Sequence, residues 1–126
     1  MSFMRIVTGL WRNSTETSDR AKDPKLKTRY YKIGKRNLAE TITSVVNNKL
    51  PGWKINHFDY ERGEMLIEKR GMRRNQIVIT IIQVEPLRCS VDLVSAYEGL
   101  GDLGATYFAV QKFYELLNKE VPPVSK

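Results

Sequence analysis

Four sets of residues have types that could do chemistry. The first is a thiol and an imidazole: Cys89 and His57 are the single Cys and the single His of the chain. A nucleophilic pair needs the two in contact and the sulfur partly exposed. Alternation along 87–95 instead places Leu87, Cys89, Val91 and Leu93 in one inward row, which makes Cys89 an inert core thiol. His57 falls on the Trp53–Ile55 parity, which predicts a half-buried, hydrogen-bonded ring. The second set is Gly99-Leu100-Gly101-Asp102-Leu103-Gly104, which fits G-x-G-x-x-G between a strand and a helix. That motif binds pyrophosphate through bare backbone at a helix N-terminus. Asp102 puts a negative charge where the phosphate must sit, and no strand follows to close a βαβ unit. Asp102 reads instead as an N-cap after a glycine-rich turn.

The third set is the carboxylates. Glu61 with Glu64 flank a turn, and Glu64 with Glu68 share a strand face. Acid–base work needs apposition across a cleft, which neither spacing implies. The fourth set is cationic. Lys69, Arg70, Arg73 and Arg74 cluster at one hairpin tip, near Lys32, Lys35 and Arg36. Nucleic-acid platforms interleave such charges with exposed aromatics. Here strand parity buries about half of the neighbouring rings, so the tip reads as a soluble edge. No metal site and no cofactor is expected.

These residues must be positioned by a small set of elements. Arg29–Ile33 reads as a strand. Asn37 with Glu40 forms a capping-box variant before a helical face of Leu38, Ile42, Val45, Val46 and Leu50. Pro51-Gly52 stops that helix. Trp53–Tyr60 and Glu64–Lys69 form a hairpin, with Met65 and Ile67 on one face. Gln76–Val84 is apolar on both faces, as a central strand. Leu87–Ser95 alternates. A helix then runs from Asp102 to about Val121, burying Leu103, Tyr107, Val110, Tyr114, Leu117 and Val121, with Phe113 beside them; Pro122-Pro123 ends it. The order is β-α-β-β-β-β-α. It predicts an α+β domain: an antiparallel five-stranded sheet with two helices on one face. Val78, Ile82, Val84, Val94 and Ala96 form an apolar strip on the other face, for the N-terminal segment or a second subunit to cover.

The chain has 126 residues, 41% of them hydrophobic, and a net charge of +7. This excludes a wholly disordered chain, and one Cys excludes a disulfide scaffold. One domain is expected. No stretch approaches the ~20 apolar residues of a membrane span, so a cytoplasmic location is expected. The charge is uneven: residues 1–36 hold ten basic and three acidic residues, and the remainder is balanced. Phe3, Ile6, Val7, Leu10 and Trp11 recur at helical spacing, with Arg5 and Arg12 off that stripe. The expected organisation is an amphipathic segment over 1–12, a polar basic tether over 13–27, the α+β domain over 28–121 and a tail over 122–126.

The run Asp92-Leu93-Val94-Ser95-Ala96-Tyr97-Glu98-Gly99-Leu100-Gly101-Asp102-Leu103-Gly104 resembles the bacterial family called domain of unknown function 1499. In that family a β-rich stretch ends in Ser-x-Ser and a glycine, followed by Asp-x-Gly and a C-terminal helix. Ser95, Gly99, Asp102 and Gly104 fit. Tyr97 stands where a second Ser would be, and Tyr107-Phe108 replace a polar helix start. The start Thr28 to Lys32 is also similar to that of uncharacterised small cytosolic proteins of Gram-positive bacteria. The resemblance implies a bacterial, non-secreted domain marked by its Gly-Asp-x-Gly turn, and brings no activity with it.

Together these readings predict a non-enzymatic interaction module. Its basic amphipathic arm would contact a partner protein or an anionic membrane surface, the inner membrane face included, through Phe3, Arg5, Trp11, Arg12, Lys25 and Lys27, with Arg73 and Arg74 on the hairpin tip. Homodimerisation is open to it, and nucleic acid is a lesser partner. The alternative is a small apolar ligand held near Gly99, Gly101, Asp102, Gly104 and Tyr107, in a void lined by Trp53, Tyr107 and Phe108.

Overall fold

In the computed structural model, residues 13–69, 75–97 and 103–124 are described. Helix α1 spans Lys35–Lys49 and buries Leu38, Ala39, Ile42, Val45 and Val46. Gly34, not Asn37, is its N-cap: Gly34 is extended, and its carbonyl accepts the first helical bond, from the Leu38 N–H at 2.9 Å. Asn37 therefore lies inside the first turn, where its carbonyl accepts from Thr41. Gly52, at φ 88, turns the chain into the next strand in a conformation that a β-carbon disfavours.

The strands are β1 (Asn13–Glu16), β2 (Arg29–Tyr31), β3 (Trp53–Asp59), β4 (Glu64–Lys69), β5 (Asn75–Glu85), β6 (Arg88–Tyr97) and β7 (Pro123–Val124). Helix α2 spans Leu103–Glu120. All paired strands are antiparallel, in the order β3-β4-β5-β6-β2-β7. β1 pairs the other half of β6, Glu16 opposite Val94, while β2 puts Arg29 opposite Val91. β1 and β2 thus share one edge of β6. The five expected strands are present, and the sheet gains β1 and β7.

Both helices pack on one face. Ile77, Ile79 and Ile81 of β5 and Cys89, Val91 and Leu93 of β6 form one buried cluster with α1 and α2. Trp53 stacks on Phe113 within it, ring centroids 6.3 Å apart. Tyr31 of β2 donates its hydroxyl proton to Asn118 of α2 at 2.7 Å, and Lys49 pairs with Glu120 at 2.8 Å, which ties the C-terminal ends of the two helices together.

The segment expected to be a tether is bonded to the sheet. Beyond β1, residues 17–28 leave and return opposite Asp92. The Thr17 and Thr28 hydroxyls both donate to Asp92 Oδ1, at 2.7 and 2.6 Å. Thr17 Oγ1 also accepts the Leu93 N–H at 2.9 Å. The Arg29 guanidinium gathers the carbonyls of Pro24, Lys25 and Lys27 and lies 4.8 Å over the Tyr114 ring. From α2, Tyr107 donates to Asp23 and Gln111 to the Lys25 carbonyl. Polar bonds order a segment with almost nothing apolar to bury. Likewise residues 123–124 of the expected tail pair with β2.

Candidate functional site

The thiol and the imidazole end far apart. Cys89 is fully buried in β6, and burial raises its thiol pKa, as expected of an inert thiol. His57 sits on β3, three ranks across the sheet, about 14 Å at ordinary strand spacing, and five residues farther along the register, so the two cannot meet. It is exposed rather than half-buried. The reason is a bulge: pairing shifts between Ile55 and His57, so Asn56 is an extra residue and parity flips. Phe58 then faces Met65 toward the core, and His57 pairs with Leu66. Among the described residues, no group of three or more His, Cys, Asp and Glu could hold a metal ion. No described helix is long and apolar enough to cross a membrane.

Of the glycine-turn residues, Gly99, Gly101 and Asp102 lie outside the described residues. Gly104 is in the first turn of α2. Tyr107 is half-buried, and its hydroxyl reaches Asp23 at 3.1 Å. The proposed lining does not converge on a void: Trp53 stacks on Phe113, Tyr107 is turned to the 17–28 loop, and Phe108 is 64% exposed. The Ser95 hydroxyl is buried without a hydrogen-bond partner. Of the contact residues, Phe3, Arg5, Trp11, Arg12, Arg73 and Arg74 lie outside the described residues. Lys25 and Lys27 are exposed on the 17–28 loop.

The surface that stands out lies at the β5–β6 hairpin end and the β2–β7 edge; the sequence placed Ile82 and Val84 on an open strip but missed Leu87 and the edge. Leu87, expected in the inward row, is 63% exposed, because β6 begins only at Arg88 and Leu87 occupies the turn. Ile82 and Val84 are 52% and 53% exposed on the same hairpin. A shallow depression of about 340 Å³ joins Leu87 to Lys32, Arg88 and Val124, with Glu85 at its rim. A second, of about 430 Å³, continues from Val124 to Lys27 and Tyr30. The Arg88 guanidinium lies 5.7 Å over the Tyr30 ring. Burial, then the Asp19 carboxylate that accepts its proton, pushes the Tyr30 phenol up to about 12. Tyr30 therefore stays neutral, and Lys27, Arg29, Lys32 and Arg88 outnumber Asp19 and Glu85 along the edge. The signal in the sequence was an apolar residue inside a turn, at Pro86-Leu87, beside two cations.

A separate open depression of about 380 Å³ lies between α1 and β3, over Phe58 and Tyr60, with Arg36 and Glu40 on its rim. The Lys35 ammonium sits 4.8 Å over the Tyr60 ring. The fold and these surfaces define a small α+β domain with an antiparallel sheet. No protein-family model matches the chain, and no curated protein matches it.

Proposed function

We propose that the protein is a non-enzymatic interaction module that rests its β2–β7 edge and β5–β6 turn on an anionic membrane surface. The observation that carries this reading is Leu87, exposed at the hairpin tip with Lys32 and Arg88 beside it. An apolar tip can enter the headgroup boundary while flanking cations meet acidic lipid. Each cation near such a surface is worth about 1 kcal/mol. The two depressions hold Lys27, Arg29, Lys32 and Arg88 against Asp19 and Glu85, a net of two positive charges that supplies about 2 kcal/mol, and burying Leu87 adds about 2 kcal/mol. The sum corresponds to half-saturation at about 1 mM accessible lipid at low salt, a weak and reversible contact.

The test is co-sedimentation with vesicles. The protein should pellet with phosphatidylglycerol-rich vesicles at low salt and stay in solution with pure phosphatidylcholine. Leu87→Asp and Lys32→Glu, both at exposed positions, should each abolish pelleting. Wild type that ignores acidic vesicles at low salt ends this reading and leaves the edge to an acidic protein. A second reading, a small apolar ligand, moves from the glycine turn to the depression over Phe58 and Tyr60, whose aromatic floor favours it. Quenching of the Trp53 signal by apolar ligands, lost in Phe58→Asp, would support that reading.

A further inference from the structure

The open end of the β5–β6 hairpin has two unlike sides. Every residue from Ile82 to Leu87 is exposed, so the hairpin projects past the cover that the helices give Ile77, Ile79 and Ile81. Ile81 faces the helices, so Ile82 points to the helix-free side and Gln83 to the helix side. The register shift in this hairpin lies beyond Gln83, so the two keep opposite sides. Ile82 is opposite Ser90, and Ser90 is opposite Tyr30. Tyr30 in turn carries the Arg88 guanidinium over its ring and pairs with Val124. The helix-free side of this end is thus apolar at Ile82 and Val124 and cationic at Arg88, while the helix side presents the amide of Gln83. Main-chain pairing runs out to Glu85 opposite Arg88, so the hairpin can approach lipid without a run of unpaired amides.

We infer that the hairpin lies on its helix-free side against the bilayer, rather than entering tip-first, so that Ile82 inserts beside Leu87 and both helices face away. This rests on the membrane reading above and commits it to one orientation. Charge favours acidic lipid over a second copy as the occupant. Lys27, Arg29, Lys32 and Arg88 against Asp19 and Glu85 leave a net of two positive charges, which attracts anionic headgroups and repels the same edge of another copy. Ile82 is 52% exposed, so covering its open half adds roughly fivefold to the lipid affinity.

Single labels on the full chain test the orientation, at Ile82→Cys, Gln83→Cys and Leu87→Cys, with Cys89 buried and unlabelled. With phosphatidylglycerol-rich vesicles at low salt, an environment-sensitive fluorophore at 82 and at 87 should shift to shorter wavelength, and at 83 should stay at its value in buffer. Ile82→Gln should weaken vesicle binding roughly fivefold. A silent label at 82 beside a responsive one at 87 overturns the orientation and leaves the membrane reading standing. Equal responses at 82 and 83 overturn it as tip-first entry, and Ile82→Gln binding as tightly as wild type overturns it too. Silence at all three positions ends both readings. A label at 82 that shifts without lipid as protein concentration rises makes the occupant a second copy and also overturns the inference.

Discussion

Thr17→Val should show that residues 17–28 are part of the fold. Thr17 is 2% exposed, and its hydroxyl serves two groups: it donates to Asp92 Oδ1 at 2.7 Å and accepts the Leu93 N–H at 2.9 Å. The Tyr114 hydroxyl lies 3.3 Å away, but its one proton goes to the Val91 carbonyl at 2.7 Å. Valine keeps the shape and removes both bonds. Leaving the Leu93 N–H unpaired in the interior costs about 2 kcal/mol, and losing the bond to a partly buried carboxylate about 1 kcal/mol more. Thr28→Val loses only its bond to Asp92, at 2.6 Å, and should cost about 1 kcal/mol. Thr17→Ser keeps the hydroxyl and should stay within about 1 kcal/mol of wild type. The assay is urea unfolding followed by Trp53, which is buried against Phe113. With a slope of about 2 kcal/mol/M, Thr17→Val should move the midpoint by roughly 1.5 M and Thr28→Val by about 0.5 M. A Thr17→Val midpoint equal to wild type, or equal losses for both threonines, would refute the account of the clasp.

Other outcomes follow from the same geometry. Burial raises the Asp92 pKa despite the hydrogen bonds from Thr28 and Thr17 that lower it. A raised folded pKa favours the protonated acid, so its contribution is full below the ordinary carboxylate value and is lost as pH rises through the folded value. Asp92→Asn keeps an oxygen acceptor for both threonines, so its stability relative to wild type should rise between pH 4 and pH 7. Urea midpoints at the two pH values check this, and a fall instead would contradict it. Gly63 has φ +70, and a β-carbon there would clash with the Ile81 carbonyl oxygen. Gly63→Ala should therefore cost about 3 kcal/mol in the same assay, far more than an ordinary turn substitution.

Much of the architecture was legible because apolar periodicity is a burial signal. Leu38, Ile42, Val45, Val46 and Leu50 are all buried, as is Val110 with Phe113, Tyr114 and Leu117. The five strands from Arg29 to Ser95 lie where their β-prone, turn-bounded runs place them, although the bulge in β3 breaks its alternation. What escaped was order made by polar groups. The clasp of Thr17 and Thr28 on Asp92 joins residues 75 and 64 positions apart, which no local pattern displays. The extra residue Asn56 turned His57 outward, since one inserted residue exchanges the two faces of a strand. The candidate edge escaped for a related reason: Leu87 fits the inward parity of β6 but lies in the turn before it.

The most direct test of the membrane account is an environment-sensitive fluorophore on Leu87→Cys. Cys89 is fully buried, so the new thiol takes the label alone. A Ser44→Cys chain, labelled at an exposed position on α1, is the control. With acidic vesicles at low salt, the label at 87 should brighten and shift to shorter wavelength, the label at 44 should not change, and added salt should reverse the response. A label at 87 that reports water at every lipid concentration, or equal responses at 87 and 44, would contradict the claim that this edge meets the membrane.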